Sequence, residues 1–377
     1  MKFTNCKIYT PDFVFAEGTF EVENGVFKKC SSTDGAVDLE GAYVLPGLID
    51  IHTHGNSGID FTDCKEGGLL KMASYYAQNG VTSFCPTSLT LPEEVLAKSY
   101  KMAREFKEEN HQGTASIEGI NMEGPFFSSK KKGAQNEEYI KNPDVEMFKR
   151  LQDISGNLIK LADVAPELPG SESYIKEVCK TAKVSIAHSS CNYDEAVSAF
   201  DWGASHMTHL FNAMEGIHHR KPGPIIAAFE NKNVTVEVIG DGLHLHPAII
   251  RFIFFALSDE RICLISDSLS VAGMKNGEYS LGGQEITLDG GIARLKSDGT
   301  IAGSANNLYT IMKLCMEFGV PKEKAVKAAT FNPARVLGIE NRVGMIKEGM
   351  EADFIISDSS FNIKDVFVKG VKVKREI

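Results

Sequence analysis

The sequence of 377 residues lacks several features that would decide its class at once. Its greasiest stretch, Ile249 to Leu257, is interrupted by Arg251, whereas a bilayer span needs about twenty apolar residues in a row. That stretch reads as a buried helix, and no membrane partner is expected. The first residues, MKFTNCKIYTPDFVFAEGTF, contain no continuous apolar core of the kind a secretory signal carries. Positive charge is not in excess: 40 Lys and Arg stand against 50 Asp and Glu, a net charge of -10. No broad basic surface, and so no nucleic-acid partner, is expected. The 8 cysteines form no C-x-x-C pair, and scattered thiols in so long a chain read as reduced core residues of a cytoplasmic protein. A G-x-x-x-x-G-K-[ST] phosphate loop is missing, as are tandem repeats and low-complexity tracts.

What is present is an ordinary globular composition, 43% hydrophobic and 24% charged. Dividing the length by ~150 residues per domain gives two to three domains, or fewer if one is an α/β barrel of about 250 residues. The two ends resemble each other and differ from the middle. Residues 1 to 45 carry short β-type runs (Lys7–Thr10, Thr19–Val22, Gly25–Lys29, Ala42–Leu45) broken by Pro11, Gly18, Gly25 and Gly41. Residues 343 to 377 repeat the style, with strands expected at Asp353–Ser357 and Asp365–Val373. Neither end can cover a sheet alone, so the two are expected to pair into one small β-sandwich domain, 1–46 with 343–377.

In the middle segment, 47–342, apolar strand-like runs recur, most followed by a helical pattern. The runs are Gly47–His54, Val81–Thr87, Ser116–Glu123, Leu158–Pro166, Val184–His188, Ser205–His209, Val234–Asp241 and Ile262–Asp267. Eight alternating units predict a closed (β/α)8 barrel of the TIM type. A doubly wound sheet would want a glycine-rich fingerprint after its first strand, and none is there.

Polar residues are not scattered randomly over those runs. His52 and His54 end the first, Glu123 the third, His188 the fifth, His209 the sixth and Asp267 the eighth. In a barrel every such position lies at the C-terminal mouth, where active sites sit. Histidines at i and i+2 of a strand point the same way. Imidazoles with a carboxylate suit a borderline divalent cation such as Zn2+ or Fe2+. The plain alternative, a hydrogen-bonded core residue, explains a lone histidine but not five ligands at one rim. Asp267, without a basic neighbour in sequence, is a natural general base beside metal-bound water; its alternative is a helix N-cap. His244, Asn212 and Ala213 follow strands seven and six as candidate substrate contacts, and Arg220 on a polar loop is a candidate anion contact.

These residues resemble a known set. Pro46-Gly-Leu-Ile-Asp-Ile-His-Thr-His54 is similar to the first-strand signature of the amidohydrolase superfamily. Asn121-Met-Glu-Gly-Pro-Phe126, Lys131-Lys-Gly-Ala134, Ala187-His-Ser189, Thr208-His-Leu-Phe-Asn-Ala-Met214, Asp241-Gly-Leu-His244 and Ala302-Gly-Ser304 resemble, in order, the motifs of its N-acetylglucosamine-6-phosphate deacetylase family. Gly349-Met-Glu-Ala-Asp-Phe354 extends the likeness to the far end. The resemblance implies hydrolysis of N-acetylglucosamine 6-phosphate to glucosamine 6-phosphate and acetate. It implies one or two divalent metals per chain, with Glu123, His188 and His209 as main ligands and His52 and His54 holding a second. It implies Asp267 as the catalytic aspartate, and His244 with Arg220 on the sugar phosphate, the arginine reaching across a homodimer. Ala134, Gln135, Asn212, Ala213, Ile301, Ala302 and Gly303 match further substrate contacts. Gln135 departs from the histidine that many members carry; a second metal at His52 and His54 would supply the Lewis acidity that a glutamine cannot. Lys160 lies at the wrong end of its strand to be a carboxylated bridging ligand, which argues against the cyclic-amide hydrolases. Two rivals remain: an amidohydrolase acting on another N-acyl amine, and a metal-free, non-catalytic relative.

Overall fold

The computed structural model describes residues 1–375. Eight short parallel strands follow one another along the middle of the chain: Leu48–Thr53, Val81–Pro86, a third split into Ser116–Ile117 and Ile120–Met122, then Ile159–Val164, Lys183–Ile186, His206–Met207, Thr235–Val238 and Ile262–Leu264. They coincide with the eight apolar runs. From Ile120–Met122 to Ile262–Leu264 they form one continuous parallel sheet, and the first two pair with Ser116–Ile117 in another. A parallel bridge between Thr87 and Asn121 joins the two sheets. Past the strand ends, the Asp267 N–H donates to the His52 carbonyl at 2.9 Å and the His54 N–H to the Ser268 carbonyl at 2.8 Å, so the eighth run returns to the first. The ring is closed, a (β/α)8 barrel.

Helices line the outside because each buries one apolar stripe against the strands. Two of them went without a distinct helical pattern in the sequence. Val145–Ile154 starts where the Asp144 side chain accepts the Met147 N–H at 3.0 Å, and it buries Met147, Phe148 and Leu151. Gly223–Glu230 is apolar nearly all round, and a short run of that kind does not distinguish helix from strand. No helix among the described residues is long and apolar enough to cross a membrane.

The two chain ends meet in a single seven-stranded sheet. Its order is Val371–Lys372, Ile363–Val368, Phe354–Ser357, Val37–Pro46, Lys2–Tyr9, Phe15–Glu23 and Val26–Lys28. The seam is antiparallel, with Ile356 opposite Val44. Side chains alternate as a pleat requires. Val44, Ile356 and Phe354 enter a core with Phe3, Phe20, Phe27 and Phe367, whereas Leu45 and Ile355 pack into the barrel's core. The run expected as one strand over Asp365–Val373 is two, Ile363–Val368 and Val371–Lys372. Lys369 and Gly370, both at positive φ (48° and 73°), make the hairpin turn between them.

A further sheet, antiparallel throughout, which the strand reading passed over, is inserted after the eighth barrel strand: Gly277–Leu281, Gln284–Asp289, Ile292–Leu295 and Ile301–Ser304. Its first two turns are Gly282-Gly283 and Gly290-Gly291, all at positive φ, as tight hairpins demand. Leu281, Ile286, Leu288, Ala293 and Leu295 give it a core of its own, shared with Leu89, Leu269 and Val271. The Gln284 side chain donates to the Ala134 carbonyl at 2.6 Å and ties the sheet to the rim of the barrel.

Candidate active site

At the C-terminal mouth the barrel opens into a cavity of about 310 Å³ bordered by His54, Glu123, Gln135, His188, His209 and Asp267. The backbone turns sharply where these residues leave their strands. His188, His209 and Asp267 hold φ of 43°, 28° and 46°, in the left-handed region that costs an L-residue about 1–3 kcal/mol. The kink swings each side chain inward rather than onward along the strand. Surrounding bonds hold it: the Asp267 N–H goes to the His52 carbonyl, and the His209 N–H to Glu237 Oε2 at 3.1 Å.

Two sets of potential ligands face each other here, and Glu123 touches both. Its Oε1 lies 3.1 Å from His188 Nε2 and 3.2 Å from His209 Nε2, and the two nitrogens are 3.1 Å apart. Its Oε2 lies 3.3 Å from His54 Nε2. Across from it, Asp267 Oδ1 is 3.3 Å from His54 Nε2 and 3.5 Å from His52 Nε2. Glu123–His188–His209 and His52–His54–Asp267 each bring three ligand atoms within 4.8 Å of one another, all buried.

The donors fit divalent cations. His188 Nδ1 is 2.9 Å from the Lys131 carbonyl, which can only accept, so the neutral ring carries its proton on Nδ1 and presents a lone pair at Nε2. That lone pair meets the Glu123 carboxylate and a second imidazole nitrogen. His52 likewise puts Nδ1 against the Glu237 carboxylate at 2.9 Å and leaves Nε2 without a hydrogen bond. Lone pairs and anions crowded in a dry space repel unless a cation lies among them. Imidazole nitrogens and carboxylate oxygens are the donors that zinc and ferrous iron prefer.

The charges record the same compression. Burial pushes the Glu123 carboxyl up, but His52, with the His188 and His209 imidazoles close against it, outweighs it and holds the group well below the usual carboxylate range. Asp267 is lowered too, burial again being outweighed by the hydrogen bond from His54 and the charges of His52 and His54. Burial also opposes the charge on His52, yet the Glu237 and Glu123 carboxylates raise it well above the ordinary imidazole value. His54 is raised as well, so His52 and His54 favour protons that an incoming cation would displace.

The family model described as Amidohydrolase family matches residues 43–373. The chain belongs to the amidohydrolase family. It is 37% identical over 331 residues to N-acetylglucosamine-6-phosphate deacetylase of Bacillus subtilis, covering 87% of this chain and 83% of that one. It is 32% identical over 335 residues to N-acetylgalactosamine-6-phosphate deacetylase of Escherichia coli O157:H7, covering 88% of each. Among solved structures, an aspartate-to-alanine mutant of N-acetyl-D-glucosamine-6-phosphate deacetylase from Mycobacterium smegmatis, in complex with N-acetyl-D-glucosamine-6-phosphate, superposes with a TM-score of 0.93. The two are 29% identical, and the match covers 99% of each chain.

The remaining candidates of this amidohydrolase divide by position. Ala134, Asn212, Ala213, His244, Ile301, Ala302 and Gly303 all border the cavity. His244 is oriented by Asp241, whose Oδ2 is 2.7 Å from His244 Nδ1 while Oδ1 accepts the N–H groups of Leu243 and His244. Burial disfavours charge on His244, but Asp241 outweighs it and raises the imidazole, as an anion-binding group requires. Gln135 is engaged at both ends of its amide: Oε1 accepts the Thr90 N–H and Nε2 donates to Glu123 Oε2, each at 2.7 Å. Arg220 is exposed on the loop after the sixth strand and does not border the cavity of its own chain. Lys160 is the second residue of its strand, at the opposite end of the barrel from the mouth.

Sequence reasoning passed over Glu237, fully buried against His52 and His209, and His206, fully buried behind it, as well as Leu281 of the inserted sheet and Thr300 before its last strand. A signal existed for Glu237: a glutamate inside the apolar run Val234-Thr-Val-Glu-Val-Ile is a carboxylate that the fold must bury and pair.

Proposed function

We propose that this amidohydrolase hydrolyses N-acetyl-D-glucosamine 6-phosphate to D-glucosamine 6-phosphate and acetate. The observation that carries the reading is Glu123 set between two ligand clusters, with Asp267 on the far side of a cavity of sugar-phosphate size. Similarity to two phosphorylated-amino-sugar deacetylases over most of the chain supports the substrate class.

Glu123, His188 and His209 hold one Zn2+ or Fe2+, and His52, His54 and Asp267 a second. When bound, such ions polarise the amide carbonyl and lower the pKa of a coordinated water to about 7. Asp267, held ionised, takes the proton of the attacking water and later passes it to the amine nitrogen, without which C–N cleavage would expel a poor leaving group. The Gln135 N–H not used on Glu123 donates to the acetamide oxygen as charge builds there. Asn212, Ala213, Ala134 and the segment Ile301–Gly303 hold the sugar, and His244 the phosphate.

Arg220 completes the phosphate site of a neighbouring subunit in a homodimer. Its exposure on its own chain supports that reading, and large apolar side chains are left exposed as a partner surface would need: Phe255 is 89% exposed on the helix Pro247–Ala256, with Phe252, Leu243 and Ile217 more than 40% exposed. Residues 47–342 form the catalytic unit, with 1–46 and 343–377 as the accessory sheet domain, and the working compartment is the cytoplasm.

The test is acetate release from N-acetylglucosamine 6-phosphate together with elemental analysis of the same sample. Activity rising with divalent metal supports the reading. A metal-replete chain that releases no acetate, or one indifferent to the 6-phosphate, overturns it in favour of another N-acyl substrate. A second reading, the N-acetylgalactosamine 6-phosphate epimer, is favoured by the Escherichia coli relative. The two sugars compared on one preparation decide by their kcat/KM. A chain that takes up no metal would be the non-catalytic relative.

A further inference from the structure

Glu237 lies in the seventh barrel strand, Thr235–Val238, fully buried and facing the barrel interior. One carboxylate there serves three partners. Its Oε2 is 2.9 Å from His52 Nδ1 and 3.1 Å from the backbone nitrogen of His209; its Oε1 is 3.2 Å from His206 Nε2. His206 continues the chain, with Nδ1 2.6 Å from Thr235 Oγ1. Glu237 borders no part of the cavity and lies behind the ligands, against the His52 ring and the His209 backbone. It nonetheless grips one member of each ligand set: the side chain of His52 and the backbone of His209.

Proton placement follows from the donor inventory. A carboxylate only accepts, so His52 carries its hydrogen on Nδ1 and His206 carries its own on Nε2. In the neutral ring, the form that ligates, His52 Nε2 is then the single lone pair. It has no hydrogen-bond partner, and it faces Glu123 Oε1 and Asp267 Oδ1, each at 3.5 Å. An imidazole ligates only through an unprotonated nitrogen, and the hydrogen bond at the other nitrogen decides which one that is. With a proton on Nε2 instead, the same ring would close the His52–His54–Asp267 position to a cation.

We propose that Glu237 is a positioning residue that fixes the ring and tautomer of His52 and thereby sets whether the second cation position fills. This rests on the two-metal form of the reading above and deepens it. Glu237 reaches Glu123–His188–His209 only through the His209 N–H, a bond that the amide oxygen of Glu237→Gln can still accept, so the first position is expected to persist in that variant.

The decisive variant is Glu237→Gln, which keeps the volume but offers one acceptor where three donors now meet, and adds an N–H that can push the His52 proton to Nε2. At a free zinc concentration just sufficient to fill both positions of the wild type, elemental analysis is expected to fall from about two ions per chain to about one, with affinity at the second position weakened about 10- to 100-fold. In 15N-edited NMR of the zinc-loaded protein, the downfield His52 Nδ1–H resonance is expected to disappear. Glu237→Asp, still an acceptor, is expected to restore part of both signals. Thr235→Val separates this from mere packing: it removes the hydroxyl on His206 but leaves the Glu237–His52 pair, so two ions are expected to remain. Equal loss of the second ion in Thr235→Val and Glu237→Gln overturns the proposal, and so does a Glu237→Gln chain with two tightly held ions and an unchanged Nδ1–H signal. A wild-type chain that takes up one ion at saturating zinc also overturns it, while leaving the deacetylase reading on the first position intact. Two ions with no acetate release strike the substrate reading alone.

Discussion

Gln135 holds Glu123 in place: its Nε2 donates to Glu123 Oε2 at 2.7 Å because its Oε1 is pinned by the Thr90 N–H, also at 2.7 Å. Both side chains are buried, so the bond to a carboxylate is dry and charge-assisted. Gln135→Ala is therefore expected to loosen the carboxylate that touches both ligand sets. A hydrogen bond to a charged group contributes roughly 1.5–3 kcal/mol, and both metal affinity and kcat should fall correspondingly. Isothermal titration with zinc, beside acetate release, checks it; an unchanged zinc affinity would show that Gln135 serves the substrate alone. Gln135→His is expected to gain little at full metal loading if, as proposed, two ions supply the Lewis acidity. A large gain in turnover would refute that compensation.

Asp267 should behave as a base that also lies within reach of a metal. Asp267→Asn leaves Glu123, His188 and His209 untouched, and the first cation should stay. Turnover should fall about a hundred- to ten-thousand-fold, the usual span for removing a general acid–base. Elemental analysis and acetate release on one preparation read both quantities. Activity within tenfold of wild type in a metallated sample would move the proton transfer to another group.

The region joining the end sheet to the barrel carries its own pH dependence. Asp353 is buried, and burial lifts its carboxyl from an ordinary 3.8 to about 7, against the hydrogen bond from the Lys369 N–H and with help from Glu351. Between those values the folded chain keeps a proton that the unfolded chain gives up. Stability from this group is thus full below about pH 4, declines as pH rises, and is lost by about pH 7. Asp353→Asn, which retains an acceptor for Lys369, is expected to raise stability at pH 8 by about 1–3 kcal/mol while changing little at pH 4. Denaturant midpoints at the two pH values check the sign.

Much of this was legible in the sequence, and the rest was hidden for identifiable reasons. Eight apolar runs ending in His52, His54, Glu123, His188, His209 and Asp267 made the barrel and its mouth readable, because a parallel strand buried on both faces must be apolar until it reaches the rim. Glu237 escaped because it lies within its run, where strand ends were the places searched. The inserted sheet escaped although Gly282-Gly283 and Gly290-Gly291 sit between alternating residues, the usual mark of hairpins. The Gln135–Glu123–Thr90 contact was unreadable in principle: it joins three loops whose approach depends on the closed barrel.

Arg220 offers the sharpest test of the assembly. Arg220 is exposed on its own chain and away from its own cavity, so the proposed homodimer requires it to act on a neighbouring subunit's site. Arg220→Ala should raise KM for the phosphorylated sugar with little change for an unphosphorylated analogue, since it removes a charged contact to phosphate alone. The decisive step mixes two crippled chains. In a heterodimer of Arg220→Ala with Asp267→Asn, the first chain keeps its own Asp267 and borrows Arg220 from the second, so one of the two sites is whole. Random reassortment makes half the dimers mixed, and about a quarter of wild-type activity should return from two nearly inactive parents. If Arg220 acted within its own chain, every site would lack one residue or the other, and mixing would restore nothing.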